Sequence, residues 1–202
     1  MSVINYERLS QTQDIRIVKT KRCIFKAMVS LLETQKFEDL TISDLCRVAM
    51  INRKTFYSHY NSLSDAFNDM QKYIINGYIA ELKEKGIIFT KEFSPALFIK
   101  TTSDLINENV TSFNALYPYI RRGEFIRELA LAVGVEVSAY VSTLKEIVNV
   151  KTYIFAFVFS LTGLLVSYFD WIDSEEPCSI EQLFDTVDDV FSHPLKNTLK
   201  TK

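Results

Sequence analysis

Apolar residues in the first third of the chain recur at helical spacing. Ile17, Cys23 or Ile24, Ala27, Met28, Leu31 and Leu32 fall on one stripe of a 3.6-residue period. They predict a helix over 15–34, whose polar face carries Arg16, Lys19, Lys21, Arg22 and Lys26. After the connection Lys36-Phe37-Glu38-Asp39, the run Thr41-Ile42-Ser43-Asp44 has the capping-box form, a hydroxyl followed three residues on by an acid. It predicts a second helix over 42–49. Met50-Ile51-Asn52 then separates this helix from a third over 53–60, for which Asn52 is the N-cap. Ser62 and Asp65 repeat the capping-box form and open a longer helix that continues to Glu84.

The remainder also reads as helices. Ser94-Pro95 is an N-cap followed by proline at the first helical position, opening a helix over 95–108. A short helical segment is expected over 113–119, a long amphipathic helix over 124–148 and an apolar helix over 151–172. A loop at Asp173-Ser174-Glu175-Glu176-Pro177 precedes a closing helix over 180–191. No repeat and no strand alternation interrupts the series. The expected fold is all-α, with a flexible arm over 1–14, a three-helix DNA-binding domain over 15–66 and a larger helical domain for effector binding and dimerisation over 67–202. With 202 residues, 48% of them hydrophobic, and only 5 Gly and 4 Pro, the chain has material for a packed core and too few turn residues for a β-sandwich.

Charge changes the picture by its distribution. The net charge is −2, yet residues 15–65 hold nine Lys/Arg against five Asp/Glu, a net of +4, and the rest therefore carries −6. A basic head on an acidic body points one end of the molecule at a polyanion. Cys23, Cys46 and Cys178 are too scattered for a disulfide framework or a zinc site, and read as reduced, mostly buried thiols of a cytoplasmic protein. Residues 152–169 contain no charge, the lower limit of length for a spanning helix, but include Thr152, Tyr153, Ser160, Thr162, Ser167 and Tyr168. They are read as a buried helix, with no membrane partner. Without a Gly-rich phosphate loop, a nucleophile elbow or a paired-carboxylate arrangement, no enzyme activity, metal or cofactor is expected.

Two short helices joined by a three-residue turn have the spacing of a helix-turn-helix. Leu45, Ala49, Ile51, Phe56 and Tyr60 are placed inward. Arg53, Lys54, Thr55, Tyr57, Ser58 and His59 are left outside, where cations, hydroxyls and a phenol suit phosphate oxygens and base edges of a major groove. The run Leu40-Thr41-Ile42-Ser43-Asp44-Leu45-Cys46-Arg47-Val48-Ala49, with Asn52-Arg53-Lys54-Thr55-Phe56-Tyr57-Ser58-His59-Tyr60, resembles the DNA-binding domain of TetR-family regulators. The resemblance spans residues 16–67. It implies a homodimer in which Thr41 and Ser43 meet phosphate, Arg53, Lys54, Thr55 and Ser58 face bases or nearby backbone, and Tyr57 and His59 contact phosphates. Two positions depart from the family pattern. Met50 stands where glycine is frequent, in a turn that favours positive φ. Leu63 stands where lysine is frequent, which predicts weaker or differently anchored DNA binding.

For the dimer, Ile154, Val158, Leu161 and Leu165 of the apolar helix and Leu183 and Val187 of the closing helix are the expected contacts. Phe155, Phe159, Thr162 and Val166 occupy another side of that apolar helix. For an effector, the 73–169 stretch holds sixteen of the 26 aromatic residues. A pocket lined by Tyr78, Phe98, Thr102, Phe113, Tyr117, Phe125, Tyr140, Phe155 and Phe159 would take an uncharged aromatic or lipophilic molecule. The expected function is a ligand-responsive repressor on a near-palindromic operator. The alternative is a DNA-binding regulator whose C-terminal domain is a protein-interaction module.

Overall fold

The computed structural model describes residues 15–88, 93–144, 149–175, 178–183 and 185–186. Helices account for the regular structure of these residues: α1 (Ile15–Leu32), α2 (Ile42–Val48), α3 (Arg53–Tyr57), α4 (Leu63–Glu84), α5 (Pro95–Glu108), α6 (Val110–Leu116), α7 (Arg122–Val141) and α8 (Val150–Ile172). Short 3₁₀ turns sit at Phe37–Asp39 and Tyr117–Tyr119.

Caps define most of the helix starts. The Thr41 hydroxyl accepts the Asp44 amide at 3.1 Å to start α2, and Asn52 Oδ1 accepts the Thr55 amide at 2.7 Å to start α3. Ser62 accepts the Asp65 amide at 3.1 Å, while Asp65 Oδ2 accepts the Asn61 amide at 3.2 Å, closing the box at the head of α4. Ser94 accepts the Leu97 amide at 3.2 Å with Pro95 as the first residue of α5. Each bond satisfies an N-terminal amide that the helix itself leaves unpaired. Asn149 starts α8 in the same way, accepting the Thr152 amide at 3.1 Å, one residue ahead of the sequence-based start. α7 ends at Val141, where 148 was expected, and residues 145–148 lie outside the described set.

The chain divides into two compact units. Among the described residues, one comprises 15–78 with Leu105–Ile120; the other comprises Ile79–Asp104 and the described residues from Arg121 to 186. In the first, α1 packs on α2 and α6, and α2 on α3. Ile24, Phe25, Met28, Leu45, Phe56 and Met70 form its deepest layer, and Ala115 and Leu116 of α6 join the same cluster. The compact unit is therefore larger than the 15–66 segment that carries the motif.

In the second unit α7 and α8 pack closely. A Cβ added to Gly134 would lie 2.7 Å from Val158 Cγ2, so the two helices approach through the missing side chain. Arg122 bridges to Asp170 at 3.2 Å and also to Asp173, Lys83 pairs with Glu136 at 2.6 Å, and the Ser103 and Tyr168 hydroxyls lie 2.7 Å apart. Among the described residues, α8 alone is long and apolar enough to cross a membrane. Its buried residues Tyr153, Phe157, Leu161, Leu164, Leu165, Tyr168 and Phe169 recur at helical spacing along one side, the pattern of a helix packed against its own domain.

Candidate nucleic-acid interface

α3 is five residues long, too short to hold a helix by propensity alone. It is held by its anchor and its cap. The Phe56 side chain is fully buried in the first unit, with the Tyr60 ring 5.8 Å away. Because successive residues turn by about 100°, fixing Phe56 inward leaves Arg53, Lys54, Tyr57 and Ser58 exposed, with Thr55 and His59 half-buried. The Phe56 ring meets the Tyr57 ring edge to face at 5.7 Å, which orients the Tyr57 phenol outward.

The hydroxyls on this surface are partly engaged. Thr41 donates to Asp44 Oδ2 at 2.6 Å. Thr55 donates to Asn52 Oδ1 at 3.0 Å, and Ser58 to the Thr55 carbonyl at 2.7 Å. For Thr41, Thr55 and Ser58 to donate to phosphate or base, each must first release a local acceptor. The Thr41 hydroxyl, and then Arg47 at 3.0 Å, hold the Asp44 carboxyl below the usual range, so this acceptor stays ionised at neutral pH. Arg53, Lys54 and Tyr57 carry the exposed cationic and phenolic donors of α3.

The turn bears out its sequence signature. Met50 has φ of 54°, in the left-handed region, and its side chain is 93% exposed. A Cβ there costs about 1–2 kcal/mol, and the exposed side chain has little burial to offset it. Met50→Gly is therefore expected to stabilise the protein by about 1 kcal/mol, after subtracting the extra entropy glycine gives the unfolded chain. Denaturant melts of the two proteins measure the difference; an equally large loss would show that the strain does not exist. Leu63, by contrast, packs half-buried against the core of the unit, an apolar use for this position.

A network that the sequence did not reveal stands behind α3. Tyr60 donates its hydroxyl to Asp69 Oδ2 at 2.6 Å, Lys21 Nζ lies 2.8 Å from the same oxygen, and Lys21 sits 5.7 Å from the Tyr60 ring centroid. Burial, reinforced by the Asp69 carboxylate, pushes the Tyr60 hydroxyl far above its ordinary pKa, so it remains a donor. The network ties together α1, Tyr60 in the connection between α3 and α4, and α4. Lys21 and Asp69 are 48 positions apart, beyond any local pattern.

The residues expected to line an effector pocket are dispersed. Tyr78, Phe113 and Tyr117 belong to the first unit, where Phe113 stacks on Tyr117 at 4.8 Å. Phe98, Thr102, Phe125 and Tyr140 belong to the second. Phe98 is buried 5.6 Å from the Phe93 ring, Thr102 donates to the Phe98 carbonyl at 2.7 Å, and Phe125 meets Phe169 edge-on at 6.4 Å. Phe155 and Phe159 are 75% and 73% exposed, so among the described residues they face outward rather than into the interior of their unit. A groove of about 530 Å³ lies elsewhere, between the end of α1 and α6, where Glu33, Val110, Thr111 and Asn114 contribute to its walls.

The expected dimer contacts divide as well. Leu161 and Leu165 are 0% and 1% exposed, facing the interior of their own unit, and Leu183 is buried. Ile154 and Val158 are half-buried, Val158 against Gly134; Val187 lies outside the described residues. The inner and outer sides of α8 are thus reversed relative to the sequence-based assignment. The outward apolar side carries Phe155, Phe159 and Val166, with open space above Gly163 among the described residues.

No family model matches the chain. It is 38% identical over 66 residues to an uncharacterized HTH-type transcriptional regulator of Bacillus subtilis, YxbF; the match takes in 32% of this chain and 17% of that protein. Among solved structures it resembles the dihydroxyacetone kinase operon activator DhaS, with a TM-score of 0.58 at 13% identity over 90% of this chain and 98% of the other. It also resembles a TetR transcriptional regulator from Streptococcus agalactiae, with a TM-score of 0.53 at 19% identity over 88% and 96%. With its helix-turn-helix at α2 and α3 and its α-helical body, this chain has the fold of the TetR-type transcriptional regulators.

Proposed function

We propose that the chain is a cytoplasmic, sequence-specific DNA-binding regulator of transcription, not an enzyme, that acts as a homodimer on a near-palindromic site. The observation that carries this reading is the outward face of α3. Arg53, Lys54 and Tyr57 project from a helix whose opposite side is locked by Phe56, next to a two-helix turn of the right length. Thr41, Ser43, Thr55, Ser58 and His59 complete the contact set at the edges of that face. Two-fold symmetry in the protein is mirrored by symmetry in the DNA. A bound dimer represses by excluding polymerase, which needs no further surface. The structurally similar DhaS is by name an operon activator, so the sign of regulation is read from a reporter fused to the recovered operator.

Selection from a random DNA pool supplies that operator. On it, Lys54→Ala and Tyr57→Phe are expected to weaken binding across all sequences, with the Lys54→Ala variant losing about 0.9 from the slope of log affinity against log salt for each phosphate it no longer neutralises. Arg53→Ala instead relaxes base preference at one position, by roughly 1–3 kcal/mol. Unchanged affinity and preference in all three variants would mean that α3 does not face DNA.

The body responds to a signal. An uncharged aromatic or lipophilic effector would have to part rings that now pack on each other: Phe93 lies 5.2 Å from Phe157 and 5.6 Å from Phe98, and Tyr168 stacks on Trp171 at 6.0 Å. This ring-on-ring packing favours the second reading, in which the body meets another protein. A thermal-shift screen separates the two, since a ligand that binds only the folded state raises the melting temperature.

A further inference from the structure

We propose that the N-terminal turns of α1, through Arg16 and Lys19, form a second phosphate-contacting surface beside the helix-turn-helix. The inference rests on the DNA-binding reading above.

The charge of α1 is the first observation. Its 18 residues include Arg16, Lys19, Lys21, Arg22 and Lys26 and no acid. Four of them, Arg16, Lys19, Lys21 and Arg22, lie in its first half, toward the end where the helix dipole is already positive. Cations placed there repel the helix terminus, and the first turn itself contains no carboxylate. A polyanion docked at that end offsets the repulsion.

The register of α1 against α4 is the second observation, and it locates that end. Lys21 reaches Asp69 at 2.8 Å, and the Phe25 ring lies 5.5 Å from the Tyr73 ring. The two contacts have the same separation in sequence, and both advance by one helical turn in the same direction. α1 and α4 therefore run parallel, and the first turn of α1 lies level with the first turn of α4. That turn follows directly from α3, and Tyr60 between them is bonded to Asp69 and covered by Lys21. Arg16 and Lys19 consequently stand at the end of the unit that presents the recognition helix.

The third observation is what the start of α4 does not offer. Leu63 is packed on the core, and Asp65 closes the cap of its own helix. The neighbouring cations are those of α1. Of these, Lys21 is committed to Asp69 and Arg22 is half-buried. Arg16 and Lys19 are exposed and one turn apart on the same face. Lys26 is exposed on that face too, but about two turns farther along, away from the DNA end.

The test measures binding of full-length protein to a fluorescein-labelled, random-sequence DNA duplex across a salt series, which reads phosphate contacts without requiring the operator. Arg16→Gln/Lys19→Gln is expected to reduce the salt slope by about 1.8 per DNA-binding unit, at about 0.9 for each phosphate released. Lys26→Gln should leave the slope unchanged, and base preference in the selection experiment should stay as in the parent. The melting temperature of the double variant should match or exceed the parent's, because it removes cations from a positive helix end. If the double variant keeps the parental slope while Lys54→Ala reduces it, the α1 surface is excluded and the α3 reading stands. If Lys26→Gln costs as much as the double variant, the effect is one of overall charge and the inference fails. If the parent protein binds no DNA in either assay, the functional reading fails first, and this inference falls with it.

Discussion

Phe56→Ala is expected to destabilise the protein by about 3–5 kcal/mol, the range for removing a large buried aromatic, and to abolish DNA binding. Both effects have one cause. Phe56 is fully buried among residues of the first unit, with Tyr60 and Tyr57 rings around it, and it is the fixed point of a five-residue helix. Without the ring, α3 retains only the Asn52 cap, and one cap contributes about 1 kcal/mol. Such a helix does not persist alone in water, so the exposed donors lose their common orientation. Phe56→Leu keeps much of the volume and should lose less of both properties. Chemical denaturation gives the stability change, and titration with the selected operator gives the binding change. A Phe56→Ala protein that melts like the parent and binds like it would show that the anchor is elsewhere.

The second large effect concerns the outer side of α8. Phe155, Phe159 and Val166 are exposed on one side of a helix whose other side is buried, and among the described residues nothing beyond its own stretch of helix lies within 4 Å of the Cβ position of Gly163. Such an exposed apolar face calls for a cover, and we expect a second copy to provide it. The open position at Gly163 admits close helix approach. Phe155→Asp/Phe159→Asp removes four rings from a symmetric interface. At about 1.5–3 kcal/mol for each fully buried aromatic, the loss is on the order of 6–12 kcal/mol, enough to dissociate the dimer at micromolar concentration. Sedimentation should report a monomer with an unchanged helical circular dichroism signal, since the substitutions lie at exposed positions. Affinity for a two-half-site operator should fall with the loss of the linked second head. A variant that still sediments as a dimer would move the interface away from this face, and a monomeric parent would remove the need for it.

The two predictions draw on different levels of information. The placement of Phe56 was legible in the sequence because its causes are local. Thr41, Asn52 and Ser62 each cap the amide three residues ahead, the turn at 50–52 has a set length, and apolar residues at helical spacing define one inward side. Met50 is a similar case, since a turn of that geometry needs positive φ whatever surrounds it. The starts of α2 to α5 and the all-α character follow from the same short-range chemistry, and so did the outward set Arg53, Lys54, Tyr57 and Ser58, whereas α6 and α7, which lack a side-chain cap, start three and two residues before their expected positions.

What the sequence alone determined, then, was the series of helices, the helix-turn-helix and the residues on the outer face of α3, because caps and periodicity act over one or two turns. Tertiary structure decided which side of α8 goes inside. That helix is apolar on every side, so its own pattern carries no direction. The approach of α7 through Gly134 turns the Leu161–Leu165 side inward and leaves Phe155 and Phe159 outside. Tertiary structure also decided the Lys21–Asp69–Tyr60 network and the entry of α6 into the first unit's core. Each joins residues far apart in the chain, and no local preference encodes a contact whose energy appears only when distant helices meet.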